Sequence, residues 1–493
     1  MKNKLLLFAL SLYFSAFGQS VSEHTYTNFI IIFTDDQGYN DLSCYGSPLI
    51  KTPNIDQLAN EGMKFTDFYV QPVCGPSRTA LLTGCYPLRV AEVENQKGFH
   101  PYLHSKEILL PQILKNKGYT TSCIGKWDLS RNPNGYTKNN PHYPTNRGFD
   151  YWVGTPTSHG EKNTTKIFRS EGENELVSVD TITQIYTTEA LKFVEKNKDN
   201  PFFLYLAHSM PHSRLGASSR FKGKSAMGLY GDAIEELDWS TGQIYNKLKS
   251  LGIDKNTLII YTSDNGPWYV RGTHAGSSHP LRNGKTSTWE GGVRVPCIMW
   301  GANVAAGIEE KRVITSMDIF PTIISLAEAK MPEKIAIDGQ DISCVLAHKE
   351  EAIKEIYYYY YHTHLQGVRK GDWKLVVPRP RAPEWIKANK KATYKLHDVE
   401  AVRDYELYHL RDDISERRNI AAHHPEIVAE LKELIERVRE EIGDYNRIGN
   451  GARFFDEGVR RPAAQKWIEK NQSGWVPEIK VHRLYDSGSR NIN

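Results

Sequence analysis

The run Asn28-Phe29-Ile30-Ile31-Ile32-Phe33 passes directly into Thr34-Asp35-Asp36-Gln37-Gly38. A short run that is apolar on both alternating positions belongs to a strand buried on both faces. Its exit turn carries two adjacent carboxylates. Similar runs recur at Tyr119 to Gly125, Phe202 to His208, Thr257 to Ser263 and Val295 to Trp300. Helical patterns lie between them. Thr52 to Gly62 reads as a helix with Thr52 as N-cap, Pro53 in the first turn and Gly62 as stop. Met227 to Leu251 and Asp318 to Ala327 are further helices. Strands alternating with helices predict an α/β fold whose mostly parallel central sheet is flanked by helices.

The texture changes after about residue 345. Ile356 to Tyr361, Val368 to Val377 and Glu406 to Leu410 read as antiparallel strands. Pro425 to Ile442 is an amphipathic helix, with Ile427, Leu431, Leu434, Ile435 and Val438 on one face. These predict a smaller α+β subdomain over 346–493, ending in a polar tail, after a catalytic-sized α/β domain over 21–345. No internal repeat is present.

The 493 residues are 40% hydrophobic and 24% charged. That balance excludes collagen-like, coiled-coil and wholly disordered chains. With 62 Lys and Arg against 58 Asp and Glu, the net charge of +4 gives no sign of a nucleic-acid partner. The six cysteines are scattered without a CxxC pair, which argues against a zinc ribbon or a disulfide scaffold. Residues 1–20 read as a signal peptide: Lys2 and Lys4, a 13-residue apolar run from Leu5 to Phe17, then Gly18-Gln19-Ser20. The run is too short for a bilayer core of about 30 Å, and no later stretch is apolar enough to span one. The expectation is an exported protein, periplasmic or secreted.

The most specific stretch is Cys74-Gly75-Pro76-Ser77-Arg78, continued by Thr79-Ala80-Leu81-Leu82-Thr83-Gly84. It closely resembles the signature of the type I sulfatases, members of the alkaline phosphatase superfamily. The resemblance implies an alkaline phosphatase-like fold and oxidation of Cys74 to formylglycine (3-oxoalanine) by a maturation enzyme. One hydroxyl of the hydrated aldehyde would attack sulfur, and the other would later expel sulfate by regenerating the aldehyde. The resemblance also implies a calcium ion held by Asp35, Asp36, Asp264 and Asn265. An Asp-Asp pair and an Asp-Asn pair at the ends of predicted strands suit such a hard cation.

Basic residues follow in family order. Arg78 lies one turn after Cys74 and would support the nucleophile. Lys126 in Gly125-Lys126-Trp127 and His212 in Met210-Pro211-His212 match sulfate-contacting positions. Lys285 precedes Trp289-Glu290-Gly291-Gly292-Val293-Arg294-Val295-Pro296, a long and specific match. Lys285 or His212 would protonate the leaving alcohol. Ser158 resembles a polar residue near the sulfate.

Asp128 departs from the pattern. The family reads Gly-Lys-Trp-His-Leu-Gly, and this chain reads Gly125-Lys126-Trp127-Asp128-Leu129-Ser130. A carboxylate there repels an anionic substrate unless it is protonated or paired. Either His159 or His208 fills the gap, or Asp128 accepts a hydrogen bond from the nucleophile, or activity is reduced.

The implied substrate is a sulfated oligo- or polysaccharide, such as ulvan, carrageenan or a glycosaminoglycan. Arg271 and His274, with His104 and His279, are candidate sugar contacts. Residues 366–395 hold nine Lys or Arg against two Asp or Glu, a balance of +7, with Trp373 and Trp385 among prolines. Arg379 and Arg381 there suit an anionic polymer. Two rival readings stay open: a phosphoester or phosphonate hydrolase of the same superfamily, with His274 and His279 near a second metal, and a non-catalytic carbohydrate-binding relative.

Overall fold

A computed structural model describes residues 26–91, 103–129, 137–333, 335–361, 364–378, 402–444 and 447–453. The expected signal peptide, Arg379, Arg381, Trp385 and most of the C-terminal tail lie outside the described residues.

The strands in chain order begin with β1 (Asn28–Thr34), β2 (Met63–Phe65), β3 (Phe68–Tyr69), β4 (Thr120–Lys126) and β5 (Tyr151–Thr155). β6 (Thr164–Arg169), β7 (Glu175–Ser178), β8 (Phe202–Ala207) and β9 (Thr257–Ser263) follow. Then come β10 (Cys297–Gly301), β11 (Ile308–Glu310) and β12 (Ile314–Thr315). Ten of these form one sheet, ordered β11-β2-β10-β9-β1-β8-β4-β5-β6-β7. Its centre, β9-β1-β8-β4-β5, is wholly parallel. β10 and β6 pair antiparallel with its two outer strands, and β7 pairs antiparallel with β6, so the sheet is mixed at its flanks.

β1 shows why the run at 28–33 is apolar throughout. Phe29, Ile31 and Phe33 join one hydrophobic cluster and Ile30 and Ile32 another, one on each face. The first cluster takes Leu81 and Leu82 of α2 (Cys74–Thr83), Leu110 and Leu114 of α3 (Leu110–Asn116), and Ile319 and Phe320 of α7 (Ile319–Leu326). The second takes Leu58 of α1 (Pro53–Glu61), Tyr186 of α4 (Ile182–Lys196), and Ile234 and Leu237 of α5 (Gly228–Leu251). None of the helices among the described residues is long and apolar enough to cross a membrane.

Two local expectations need correction. Thr52 makes no side-chain cap for α1; its hydroxyl is engaged by Ser43 and Asp56. Asp238 of α5 does that work instead, accepting from the Ile55 amide at 2.8 Å. A capping group supplied from another helix leaves no local sequence signal. The expected single strand 368–377 is a hairpin of two, because Gly371 turns at φ 54°, a conformation glycine adopts without strain.

That hairpin lies in the C-terminal antiparallel sheet of β13 (Ile356–Tyr361), β14 (His364–Lys370), β15 (Trp373–Val376) and β16 (Glu406–His409), covered by the helix Pro425–Glu441. It is joined to the large sheet's domain through Glu290, which opens α6 (Glu290–Val293) and is fully buried. Glu290 accepts from Tyr69 of β3 at 2.5 Å, Tyr359 of β13 at 2.8 Å and Lys374 of β15 at 3.0 Å. Burial alone would raise its pKa, but Lys374, Arg369 and Arg294 outweigh burial and hold it at about 2.

A carboxyl held lower when folded than unfolded adds stability above its ordinary pKa near 4.5 and loses it as pH falls towards 2. Glu290→Gln leaves Lys374 with the Glu416 carboxylate alone and removes the shared counter-charge of Arg369 and Arg294, and at pH 7 it should cost about 3–5 kcal/mol. The apparent melting temperature at pH 7 should fall clearly. The gap to wild type should narrow as pH drops through the 4.5-to-2 window, and a gap constant with pH would refute this account.

Candidate active site

Because the central strands are parallel, their carboxyl ends meet at one edge of the sheet. β1 delivers Asp35 and Asp36, and β9 delivers Asp264 and Asn265. β4 ends at Lys126, β5 leads to Ser158 and His159, and β8 leads to His212. The Asp264 amide donates to the Thr34 carbonyl at 3.0 Å, which locks the Asp35-Asp36 and Asp264-Asn265 pairs side by side. The N-terminus of α2 sets Cys74 over them, and Gly84 closes that helix at φ 68°.

The distances are short and the groups buried. Cys74 Sγ lies 3.3 Å from Asp35 Oδ1 and 3.1 Å from Lys285 Nζ. Lys285 Nζ is 2.5 Å from Asp36 Oδ1, and Lys126 Nζ is 2.7 Å from Asp35 Oδ2. Arg78, with no exposed surface, donates to Asp264 Oδ2 at 2.7 Å and to the Lys126 carbonyl at 2.9 Å. His212 Nε2 stands 3.8 Å from Asp36 Oδ2. Its Nδ1 donates to the Ser213 carbonyl at 2.5 Å, which fixes the ring.

Burial and mutual charge set the protonation tendencies. Burial, with Asp264 and Asp35 adding to it, pushes the Cys74 thiol well above its usual range. A thiol so placed is a poor thiolate nucleophile. Burial also pushes Lys126 down, but Asp128 and Asp35 outweigh it and keep the ammonium charged. Asp35 is drawn well below the usual range, burial being overcome by Lys126, His212 and Arg78. Asp264 rises to about 7 through burial and the neighbouring Asp35. Burial holds His212 well below its ordinary value, and Lys285 and Lys126 push it the same way.

The donor set fits a hard cation. Oxygens of Asp35, Asp36 and Asp264, together with Cys74 Sγ, lie within 4.8 Å of one another. Asp36 Oδ2 and Asn265 Oδ1 are buried without a hydrogen-bond partner. Orphaned buried oxygens are costly unless something else occupies their lone pairs. Among the described residues no other such cluster forms, and His274 and His279 are exposed, so the second-metal arrangement of the phosphoesterase rival is not assembled there.

The sulfatase family model matches residues 27–329, and a model for the C-terminal region of aryl-sulfatase matches 352–467. The chain belongs to the sulfatase family. It is therefore a sulfuric ester hydrolase of the alkaline phosphatase superfamily. It is 36% identical over 383 residues to mouse N-acetylgalactosamine-6-sulfatase, covering 70% of this chain and 71% of that one. It is 32% identical over 488 residues to the N-acetylgalactosamine-6-O-sulfatase of Bacteroides thetaiotaomicron, covering 84% and 93%. A Bacteroides thetaiotaomicron sulfatase solved in work on glycosaminoglycan metabolism superposes with TM-score 0.71 at 29% identity, covering 84% of this chain and all of that one.

The remaining candidates divide. His159 is buried beside His212, ring centroids 6.0 Å apart, with Nε2 on the Arg214 carbonyl and Nδ1 without a partner. His208 does not fill the gap left at 128. It is fully buried, with Nε2 at 3.3 Å from Ser240 of α5 and its ring near Tyr186 of α4. Ser158 is half-buried in the loop with His159. Arg271 lies over the Trp268 ring at 4.2 Å and pairs with Glu161 at 2.6 Å, while His274 is exposed. Trp268 was not among the sequence candidates, although it follows Asp264-Asn265-Gly266-Pro267 directly. Its ring faces Lys285 Nζ at 4.8 Å and His212 at 5.5 Å.

Adding a divalent cation should raise the melting temperature of the sulfatase, by linkage worth about 2.7 kcal/mol at a hundredfold excess over Kd. Asp36→Asn should abolish most of that rise. Equal stabilisation of wild type and variant, read by differential scanning calorimetry, would place the ion elsewhere.

Proposed function

We propose that this sulfatase is exported and hydrolyses sulfate esters on a sulfated carbohydrate, using formylglycine at position 74. The observation that carries the mechanism is the environment of Cys74. A buried thiol ringed by carboxylates and two ammonium groups is poorly placed to ionise, yet well placed to hold a neutral oxygen nucleophile and an anion beside it. The basic start and short apolar run at residues 2–17 support export.

Asp35, Asp36, Asp264 and Asn265 would hold calcium, which when bound offsets charge on the sulfate oxygens and helps ionise the attacking hydroxyl. The aldehyde at residue 74, once hydrated, supplies an oxygen nucleophile with a built-in route for releasing sulfate. Arg78 neutralises Asp264 and braces the strand end that carries Lys126. Lys126 and His212 orient the sulfate oxygens. Lys285, in contact with the nucleophile's Sγ position, gives the leaving alcohol its proton.

A sulfated polysaccharide is the best-supported substrate class. The N-acetylgalactosamine-6-sulfatase relatives act on a sulfated sugar, and a solved relative at 28% identity and TM-score 0.68 is in complex with a neocarrahexaose. Arg369 and Lys374 of the cationic segment 366–395 are buried in the Glu290 network, and the remaining basic residues of its sequence, Arg379 and Arg381 among them, support a polymer contact.

Mass spectrometry of the peptide containing Cys74, from a host able to make formylglycine, should find the aldehyde. Cys74→Ser should lose about 10³-fold or more in kcat on a small aryl sulfate. Unmodified cysteine in active enzyme would defeat the mechanism. Reversing Arg379 and Arg381 to Glu should raise KM for a sulfated polymer far more than for an aryl sulfate. An equal change for both substrates would remove this segment from the polymer site.

A further inference from the structure

Asp128 is the feature that the sulfatase reading leaves unused. Its backbone is held firmly: the Trp127 amide donates to the Thr155 carbonyl at 2.9 Å and the Asp128 amide to the Pro156 carbonyl at 3.0 Å. Asp128 itself sits at φ 56°, a left-handed conformation that Asp and Asn tolerate better than most residues. Its Oδ2 lies 3.3 Å from Lys126 Nζ, and the side chain is 25% exposed while that of Lys126 is 2% exposed. The same oxygen stands 3.9 Å from where a Cβ on Gly75 would be, next to the nucleophile position. An anion that reaches Cys74 and touches Lys126 therefore passes alongside this carboxylate.

We propose that Asp128 is a charge filter, a specificity-determining residue that admits a singly charged sulfate ester and disfavours a doubly charged anion at the same place. The proposal rests on the sulfatase reading for its substrate. Hydrolysis converts a monoanionic ester and water into an alcohol, a sulfate dianion and one released proton. The product thus carries one more negative charge than the group that entered. A fixed negative charge near the sulfate repels the dianion about twice as strongly as the monoanion, since Coulomb energy scales with the product of the charges. Asp128 would speed release of sulfate and would also discriminate against phosphate monoesters, which are dianions at neutral pH. Lys126 limits the cost to the monoanion, because it stands between Asp128 and Asp35 and compensates both.

The test is calorimetric titration of inorganic sulfate and of methanesulfonate, a monoanion of similar shape, into the full chain in calcium. Asp128→Asn keeps the backbone preference and removes the charge. It should tighten sulfate about tenfold and methanesulfonate no more than about threefold, while Asp128→Glu should keep the wild-type ratio. If Asp128→Asn does not fold, Asp128→Gly serves, since glycine takes positive φ freely. A sulfate affinity that is unchanged or weaker in the neutral variant overturns the filter. So does equal tightening of both anions, which marks a purely steric or structural role. Because the readout is binding without turnover, a chain that failed to hydrolyse sulfate esters would defeat the sulfatase reading and still report on Asp128.

Discussion

Burying three carboxyl side chains side by side at one sheet edge is the constraint around which the molecule is built. Asp35, Asp36 and Asp264 are all but inaccessible, and Asp128 stands close by. Taking a carboxylate out of water costs several kcal/mol unless it is paired and hydrogen-bonded. The chain meets that cost with Arg78, Lys126 and Lys285, each contributed from a different segment and each nearly or wholly buried. Pairing with the carboxylates is what allows these cations to be buried, and Lys285 at the same time reaches Cys74. The parallel pairing of β1, β9, β4 and β8 is what brings these groups to a common carboxyl edge.

The same logic appears again at the join between the two sheets. Glu290 lies a few residues after Lys285 in the chain and is neutralised by Lys374, Arg369 and Arg294. Lys374 also pairs with Glu416 at 2.6 Å, and Arg369 with Asp67 at 2.6 Å. The C-terminal sheet therefore supplies two of the cations that hold α6 in place. The segment running from Lys285 into α6 is thus anchored by β14 and β15, which links the smaller sheet to the geometry of the site.

How much of this could be read from the sequence depended on whether the information was local. Buried strands such as 28–34 and 257–263 were legible because double-faced burial leaves an uninterrupted apolar run. Cys74 and the Asp35-Asp36 and Asp264-Asn265 pairs were legible because their neighbours form a specific motif. The β6–β7 hairpin went unread: its residues 164–169 and 175–178 are half polar, as an edge exposed on one face requires. The Asp238 cap of α1, the Glu290 network and the wall formed by Trp268 depend on partners far apart in the chain, and no window of sequence contains both members. His208 was misplaced for the same reason: its strand end lies at the site, but its side chain turns to the α4 and α5 face.

The position at 128 shows how a local substitution is absorbed without disturbing the rest. A histidine there would add a donor to the pocket, while a carboxylate removes one and adds a charge. The chain already holds His159 on the adjacent loop, buried with Nδ1 free of any partner and its ring against His212. Lys126 already faces Asp35, so a second carboxylate on its other side finds a cation in place. The pocket thus trades a ring for a charge while keeping two imidazoles and two ammonium groups around the nucleophile. What changes is the charge carried at position 128, and a fixed charge acts more strongly on a dianion than on a monoanion.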